Sequence, residues 1–282
     1  MLLLSCSAKL RLLEGMLRRS LPETLPVHGV VMNINRRNPA GHEVLVDSWP
    51  EFTAVLTRSR RQVATDDSDF YTNTYAAYYR DLSACQALLS SAVNWDQAFH
   101  IHGLQDGLHM ASREIAKAAG GQLEVCNFFT YLHPDPSTMP EIRLDSAMRL
   151  SSLDVSHADL LNETWPYGGT EQSRRYLSDL ICCFPSSCLL DTACHPISWC
   201  LIDSFGAMVH GYTLPQHRGH GYVRVVSKVM AKQMHARGYP TYSHVSPDNH
   251  RAQRLQESQG FWRQPGLCYI IIHTPGPVMI PS

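Results

Sequence analysis

The amino-acid sequence predicts an α/β protein, a mixed central sheet flanked by helices, organised as two halves. Three observations lead there. Strand-like apolar runs alternate with amphipathic stretches along the chain, the pattern of helices laid on a sheet. A run from Met208 to Leu214 stops at Pro215, passes through the loop Arg218-Gly219-His220-Gly221, and enters a long amphipathic segment ending at Gly238. The stretch His133-Pro134-Asp135-Pro136-Ser137-Thr138-Met139-Pro140 is the strongest linker signal and sets the expected domains at 1–140 and 141–282. With 282 residues, 44% apolar and 17% charged, the chain has material for two ordinary cores and too little charge for disorder.

In chain order, Leu10, Leu13, Met16 and Leu17 recur at helical spacing, and Pro22 ends that segment. Val27 to Asn35, Glu43 to Asp47 and Phe52 to Thr57 read as strands, with Asn38-Pro39-Ala40-Gly41 as a turn. Thr65-Asp66-Asp67 offers capping oxygens ahead of a helix expected from Tyr71 to Leu89. Gly103 to Ala119 reads as helical, and Leu123 to Leu132 as a strand. The second half opens with a strand, Met148 to Leu153, and a helix capped by Asp154 or Ser156 that runs to Trp165. Glu171 to Cys183 is the next helix, followed by strands at Cys188 to Leu190, Ile197 to Ile202 and Met208 to Leu214. Beyond the glycine loop, Val225, Val229 and Met230 share one helix face, and Arg224, Lys228 and Lys232 another. Thr241 to Val245 is a strand, Ser246-Pro247-Asp248-Asn249 opens a helix through Gln259, and Leu267 to His273 closes the chain as a strand.

The net charge of −1 gives no chain-wide signature of nucleic-acid binding. No run approaches the roughly 20 apolar residues that span a bilayer. The nine cysteines are odd in number and irregularly spaced. Cys182, Cys183, Cys188, Cys194 and Cys200 cluster without a C-x-x-C pair, so reduced thiols are expected rather than zinc, and no metal. The start of the chain carries Lys9, Arg11, Arg18 and Arg19 against Glu14. It reads equally as a basic amphipathic mitochondrial presequence and as the first helix of the domain.

The glycine loop carries the chemistry. Glycines let a backbone come close to an anion, and the unpaired N–H groups and dipole of a helix N-terminus face it. The loop is neither G-x-x-x-x-G-K-[ST] nor G-x-G-x-x-G. It resembles the pyrophosphate loop of the GNAT acetyltransferase superfamily, an apolar strand followed by Arg/Gln-x-x-Gly-x-Gly/Ala. One register runs Arg218-x-x-Gly221 and puts Val223 at the last small position; another runs Gln216-x-x-Gly219-x-Gly221. Asn249, Ala252, Leu255, Gly260 and Phe261 resemble the superfamily's second signature.

Longer blocks narrow the resemblance. Val46-Asp-Ser-Trp-Pro-Glu-Phe, Thr65-Asp-Asp-Ser-Asp-Phe-Tyr, Leu150-Ser-Ser-Leu-Asp-Val-Ser-His, Gly168-Gly-Thr-Glu-Gln-Ser and Gly211-Tyr-Thr-Leu-Pro together resemble the glycine N-acyltransferase family over nearly the whole chain. The resemblance implies two tandem GNAT-like halves, the second of them binding acyl-coenzyme A. It implies transfer of an acyl group to glycine or a similar small amine, with acyl-CoA as co-substrate and a monomeric chain. It also implies a mitochondrial location, with cytoplasmic or ER-associated relatives as the alternative. The residues it assigns to the coenzyme are Leu214, Arg218, Gly219, His220, Gly221, Tyr222 and Val223, with Asn249 on the pantetheine arm or serving as a helix cap.

Acyl transfer to an amine needs a neutral nucleophile, a polarised carbonyl and a stabilised leaving thiolate. The family's base is a glutamate in Leu-Pro-Glu, and here that position is Gln216, whose amide accepts no proton near neutrality. His210, His217 and His244 are the substitutes in reach of the pattern, since an ordinary imidazole titrates near pH 6.5, roughly the range a base needs. The tyrosine that protonates the thiolate in many acetyltransferases is Gln256 here. These two glutamines are also what a non-catalytic acyl-CoA binder would show.

Overall fold

The computed structural model describes residues 1–142, 144 and 148–276. The first half of the chain forms β1 (Leu2–Leu3), α1 (Ser7–Arg18), α2 (Leu25–Asn35), β2 (His42–Val46), β3 (Ala54–Ser59), β4 (Thr74–Tyr79), α3 (Leu82–Ala92), β5 (Phe99–Gly103), α4 (Gly107–Ala118) and β6 (Gln122–His133). The second half forms β7 (Arg149–Ser151), α5 (Ala158–Thr164), α6 (Glu171–Cys183), β8 (Ser186–Leu190), β9 (Pro196–Ile202), β10 (Met208–Thr213), α7 (Tyr222–Ala236), β11 (Thr241–Val245), α8 (His250–Ser258) and β12 (Trp262–Thr274). Both halves run β-α-α-β-β-β-α-β-α-β. The repeat is one of topology, and the sequence shows no trace of it.

The compact units do not coincide with the contiguous halves. One holds Met1–Phe128 and the chain from Gly266 onward; the other holds Phe129–Pro265. Each unit therefore takes its last strand from the opposite half. In the first unit β12 pairs antiparallel with β5, Tyr269 opposite Gly103 and His273 opposite Phe99. In the second, β6 pairs antiparallel with β11, His133 opposite Thr241 and Phe129 opposite Val245. The linker expected at 133–140 begins where β6 ends and continues as a short turn of 3-10 helix, Pro136–Thr138.

Three expectations are corrected. Val27 to Asn35, expected as a strand, lies within α2. Every residue from Leu25 to Asn33 is buried, so the helix has no polar face and shows no 3.6-residue period. The helix expected from Tyr71 to Leu89 is a strand followed by a helix. Thr74–Tyr79, rich in tyrosine, joins the sheet, and Asp81 rather than Thr65 to Asp67 caps α3 by accepting from the Ser83 N–H at 2.9 Å. Gly103 ends β5 instead of opening a helix, which starts at Gly107. In the second half, the structure keeps each expected element within a few residues, including α6 at Glu171–Cys183, where Thr170 and Ser173 form a capping box.

In the first unit the core gathers Leu56, Leu88, Leu89, Phe99 and Ile101 with Ile271 from β12. Leu10, Leu13 and Leu17 of α1 are buried, so the basic N-terminal segment is part of the folded unit. In the second unit α7 lays Val226, Met230 and Met234 against Leu189, Ile202 and Val245, and α5 with α6 covers the opposite face around Leu190, Trp199 and Leu201. Among the described residues no helix is long and apolar enough to cross a membrane.

Ile271 tests whether the returning strand matters to the first unit. It is 0% exposed. Ile271→Ala is expected to cost about 2–5 kcal/mol, the range for emptying a core aliphatic site. Urea denaturation reads this out, and a loss under about 1 kcal/mol would show that β12 is not integral to that core.

Candidate functional site

The site is built where β10 leads into α7. On the second unit's four-stranded sheet, β10 is an edge strand bonded only to β9, and β11 is the edge of a different sheet, bonded to β6. The edges of β10 and β11 are thus unpaired, and a slot remains between strands of the same unit. The topologically matching strands of the first unit behave differently: β4 and β5 pair in parallel, with Thr74 opposite His100 and Ala76 opposite His102. The turn after β4 carries Arg80 and the capping Asp81 in place of glycines, and its carboxylate already occupies the start of α3. A phosphate there would meet a negative charge. A second coenzyme site in the first unit has neither a slot nor a cradle.

β10 itself is bulged. Its register with β9 shifts between Val209 and Tyr212, so His210 and Gly211 have no partner across the ladder. His210 adopts φ +54°, a left-handed conformation that non-glycine residues rarely take. Its ring is fixed edge-on to Trp165 at 4.7 Å and lies 6.2 Å from Tyr176. Trp199 and Tyr212 pack together at 5.3 Å beside it. This aromatic wall was not read from the sequence. Trp165 looked like the end of a helix, and only the bulge reveals that the two segments converge.

After Leu214 the chain makes a 3-10 turn, Pro215–His217. Gly219 and Gly221 then take φ +88° and +77°, and Gly221 is the N-cap of α7. Among the described residues, the N–H groups of residues 219 to 223 have no partner within the chain; the first helical bonds are Arg224 and Val225 to the Gly221 carbonyl. A run of free donors at a helix N-terminus is an arrangement that can cradle a phosphate. Val223, where the pattern has a small residue, fits because Gly211 lies beneath it: a Cβ built on Gly211 would stand 3.6 Å from its methyl.

Not every expected residue contributes as the sequence suggested. The Leu214 N–H is committed to the Ile197 carbonyl at 2.9 Å, so it is not a free donor for the coenzyme. The Arg218 N–H is taken by Pro215, and its guanidinium folds back, donating to the Thr213 carbonyl and the Tyr212 hydroxyl, each at 3.1 Å. Arg218 braces the end of the strand. His220 stacks on Tyr222 at 5.3 Å and places Nδ1 3.1 Å from the Arg218 carbonyl. Asn249 caps α8, its side chain accepting from the Ala252 N–H at 3.0 Å.

Two of the three candidate histidines are weakened as bases. Desolvation pushes His210 from 6.5 down to about 4, and His244 likewise, where Thr130 Oγ1 also lies 3.1 Å from its Nδ1. An imidazole that holds its proton so weakly is a poor acceptor from an ammonium. Gln216 is exposed on the 3-10 turn, and His217 is next to it, half-buried. The carboxyl of Asp191 is lowered first by the His195 N–H and, further down the order, by the charge of His217. Gln256 is buried, with Oε1 lacking a hydrogen-bond partner. Tyr242 is no replacement proton donor, because its hydroxyl is buried and donates to the Phe205 carbonyl at 2.8 Å.

All nine cysteines are free, and among the described residues no group of His, Cys, Asp and Glu side chains is arranged to hold a metal ion.

Comparison with known proteins agrees with this geometry. Residues 1–185 match a family model described as aralkyl acyl-CoA:amino acid N-acyltransferase, and residues 187–267 match the model of its C-terminal region. The chain is 37% identical to a rat glycine N-acyltransferase, over 88% of this chain and 90% of that one. It is 35% identical to a bovine glycine N-phenylacetyltransferase, over 88% and 91%. A mouse glycine N-acyltransferase-like protein is 34% identical over 92% and 94%. A solved Drosophila protein superposes with a TM-score of 0.80 at 14% identity, over 98% of this chain and 99% of that one. A tandem GNAT protein from the clavulanic acid biosynthesis pathway superposes with a TM-score of 0.51 at 13% identity, over 91% and 89%. These two likenesses concern the fold, a mixed α/β GNAT-like architecture.

The cradle makes a measurable prediction. Gly221→Val has room for its side chain, since nothing lies within 4 Å of the new Cβ, but a β-branched residue resists φ +77°. The N–H groups should lose their aim, and acyl-CoA binding should weaken by roughly 1–3 kcal/mol. Calorimetry should find one site per unaltered chain; an unchanged affinity in the variant would remove the cradle from the argument.

Proposed function

We propose that this chain, which belongs to the aralkyl acyl-CoA:amino acid N-acyltransferase family, moves an acyl group from acyl-CoA to the amino group of glycine or a related small amino acid, releasing an N-acyl amino acid and CoA. The observation that carries the reading is the slot between β10 and β11, open beside a helix N-terminus with free N–H groups. The coenzyme's pyrophosphate would lie on residues 219 to 223. The thioester would lie along the bulged edge of β10, with the aromatic wall of Trp165 and Tyr176 beside the acyl group. The amine would attack the thioester carbon directly; the nitrogen–carbon bond forms as the carbon–sulfur bond breaks, and the thiolate leaves with the coenzyme.

The amine's proton is the difficulty. With Gln216 unable to take it, and His210 and His244 weakened as bases by desolvation, His217 is the acceptor we assign. It shares the turn with Gln216, close enough to Asp191 for their charges to interact. His217→Ala should lower turnover about 10²–10⁴-fold with little change in acyl-CoA affinity, the usual contribution of a positioned base. Gln216→Glu should raise turnover, increasingly so as pH climbs through the new carboxyl's titration, because only the ionised form accepts a proton. If His217→Ala is fully active, the base lies elsewhere. If neither variant nor the unaltered chain turns over any acyl-CoA with glycine while all bind the coenzyme, the chain is a binder and not an enzyme.

Mitochondrial residence is the location we propose, supported by the family resemblance and the basic face of α1. The segment would act without being removed, because Leu10, Leu13 and Leu17 are core residues. Cell fractionation followed by N-terminal sequencing should find α1 on the mature mitochondrial chain; a mature chain that begins after Arg19 contradicts this.

A further inference from the structure

We propose that the first unit carries a second ligand site, for a small organic anion with an apolar body such as an aryl or alkyl carboxylate. The site is a cleft of about 710 Å³ along one face of α1, where the end of α2 and the start of β2 close it. That volume is in the range of small-molecule sites, about 300–1,000 Å³. None of its residues belongs to the coenzyme slot of the second unit, and the inference stands whether or not glycine is the acceptor.

The charge on its wall is unbalanced. Arg11, Arg18, Arg36 and Arg60 line it together with Glu14 and Glu43, four positive groups against two negative, a surplus of two. Both carboxylates are already engaged. Glu14 pairs with Arg36 at 3.3 Å and accepts from the Asn35 amide at 2.8 Å. Glu43 pairs at 2.7 Å with Arg58, which stands outside the wall. Arg11 and Arg60 are exposed and have no carboxylate partner among the described residues. Burial brings His42, also on the wall, from 6.5 down to about 4, so it is neutral at pH 7 and adds no charge there. A guanidinium offers a planar fork that matches a carboxylate.

The rest of the wall mixes polar side chains, Ser5, Ser7, Asn35, Asn38 and His42, with an apolar patch. Leu4 and Leu10 reach the cleft from the chain start and α1, and Ile34 from α2. Gly15 lies among them in the middle of α1, where glycine weakens a helix relative to alanine. Packing does not demand it, since nothing lies within 4 Å of where its Cβ would be. Its bare backbone keeps the cleft open. Cations beside the apolar patch of Leu4, Leu10 and Ile34 suit an anion that has a hydrocarbon body.

The test uses the full chain with benzoate as the probe and benzyl alcohol as its uncharged counterpart. Calorimetry should show saturable benzoate binding, weakened at least tenfold by Arg11→Ala combined with Arg60→Ala and by Gly15→Trp, which fills the cleft. Benzyl alcohol should bind at least tenfold more weakly than benzoate. Acyl-CoA affinity should be unchanged in every variant, which shows that the second unit is intact. The proposal is overturned if benzoate does not saturate, if both variants bind it as the unaltered chain does, or if the alcohol binds equally well.

Discussion

Two neighbouring strand edges that fail to meet are the constraint on which the second unit depends. Unpaired N–H and C=O groups along an edge are costly unless something satisfies them, and sheets normally close over such gaps. Here β10 turns away with β9 and β8 while β11 stays with β6, and the bulge at His210 and Gly211 adds to the bend. The gap persists because α7 is packed beneath it: Val226, Met230 and Met234 fill the space where the sheets part. A ligand with its own polar chain can take the place of the missing ladder. As a member of the aralkyl acyl-CoA:amino acid N-acyltransferase family, the chain takes acyl-CoA as its acyl donor, and a pantetheine arm has amides of the kind that complete a strand edge.

The first unit is the internal control. Its strands follow the same order, but β4 and β5 zip together and Asp81 fills the helix start. One closed ladder and one carboxylate are enough to remove a coenzyme site from an otherwise matching topology. What this unit keeps is burial, with a core that includes a strand returned from the far end of the chain. Neither contiguous half contains all the strands of its own sheet, so cutting between residues 140 and 141 would leave each piece without a strand that its core uses.

How much of this the sequence disclosed depended on where a signal is written. The glycine loop, the α7 face and the extent of α6 are local patterns, and they appear where expected. Helix α2 was hidden because burial on all sides removes the polar face that marks a helix. The strand exchange was out of reach because pairing partners lie more than a hundred residues apart and either partner would read as the same apolar run. At the site, the sequence pointed to the glycine loop but not to which of its donors are free. That Leu214 and Arg218 have committed their N–H groups, while residues 219 to 223 have not, follows from the turn geometry alone. Asn249 reads as a ligand residue or a cap, and the structure shows its side-chain oxygen accepting from the Ala252 N–H.

The family resemblance implies a glutamate where this chain has Gln216, and that difference sharpens what the rest of the site must do. A glutamate would serve as proton acceptor and also bring a negative charge next to a phosphate cradle, where it opposes the coenzyme. With Gln216 that opposition is gone, and the turn retains only the imidazole of His217 as an acceptor within the same few residues. His210 contributes differently. Held in a left-handed conformation between Trp165 and Tyr176, it is neutral and rigid, and it fixes the bulge from which the backbone faces the slot. Two histidines seven residues apart thus stand in different surroundings, one packed in the aromatic wall and one on the 3-10 turn beside Gln216, although the sequence offered both as bases.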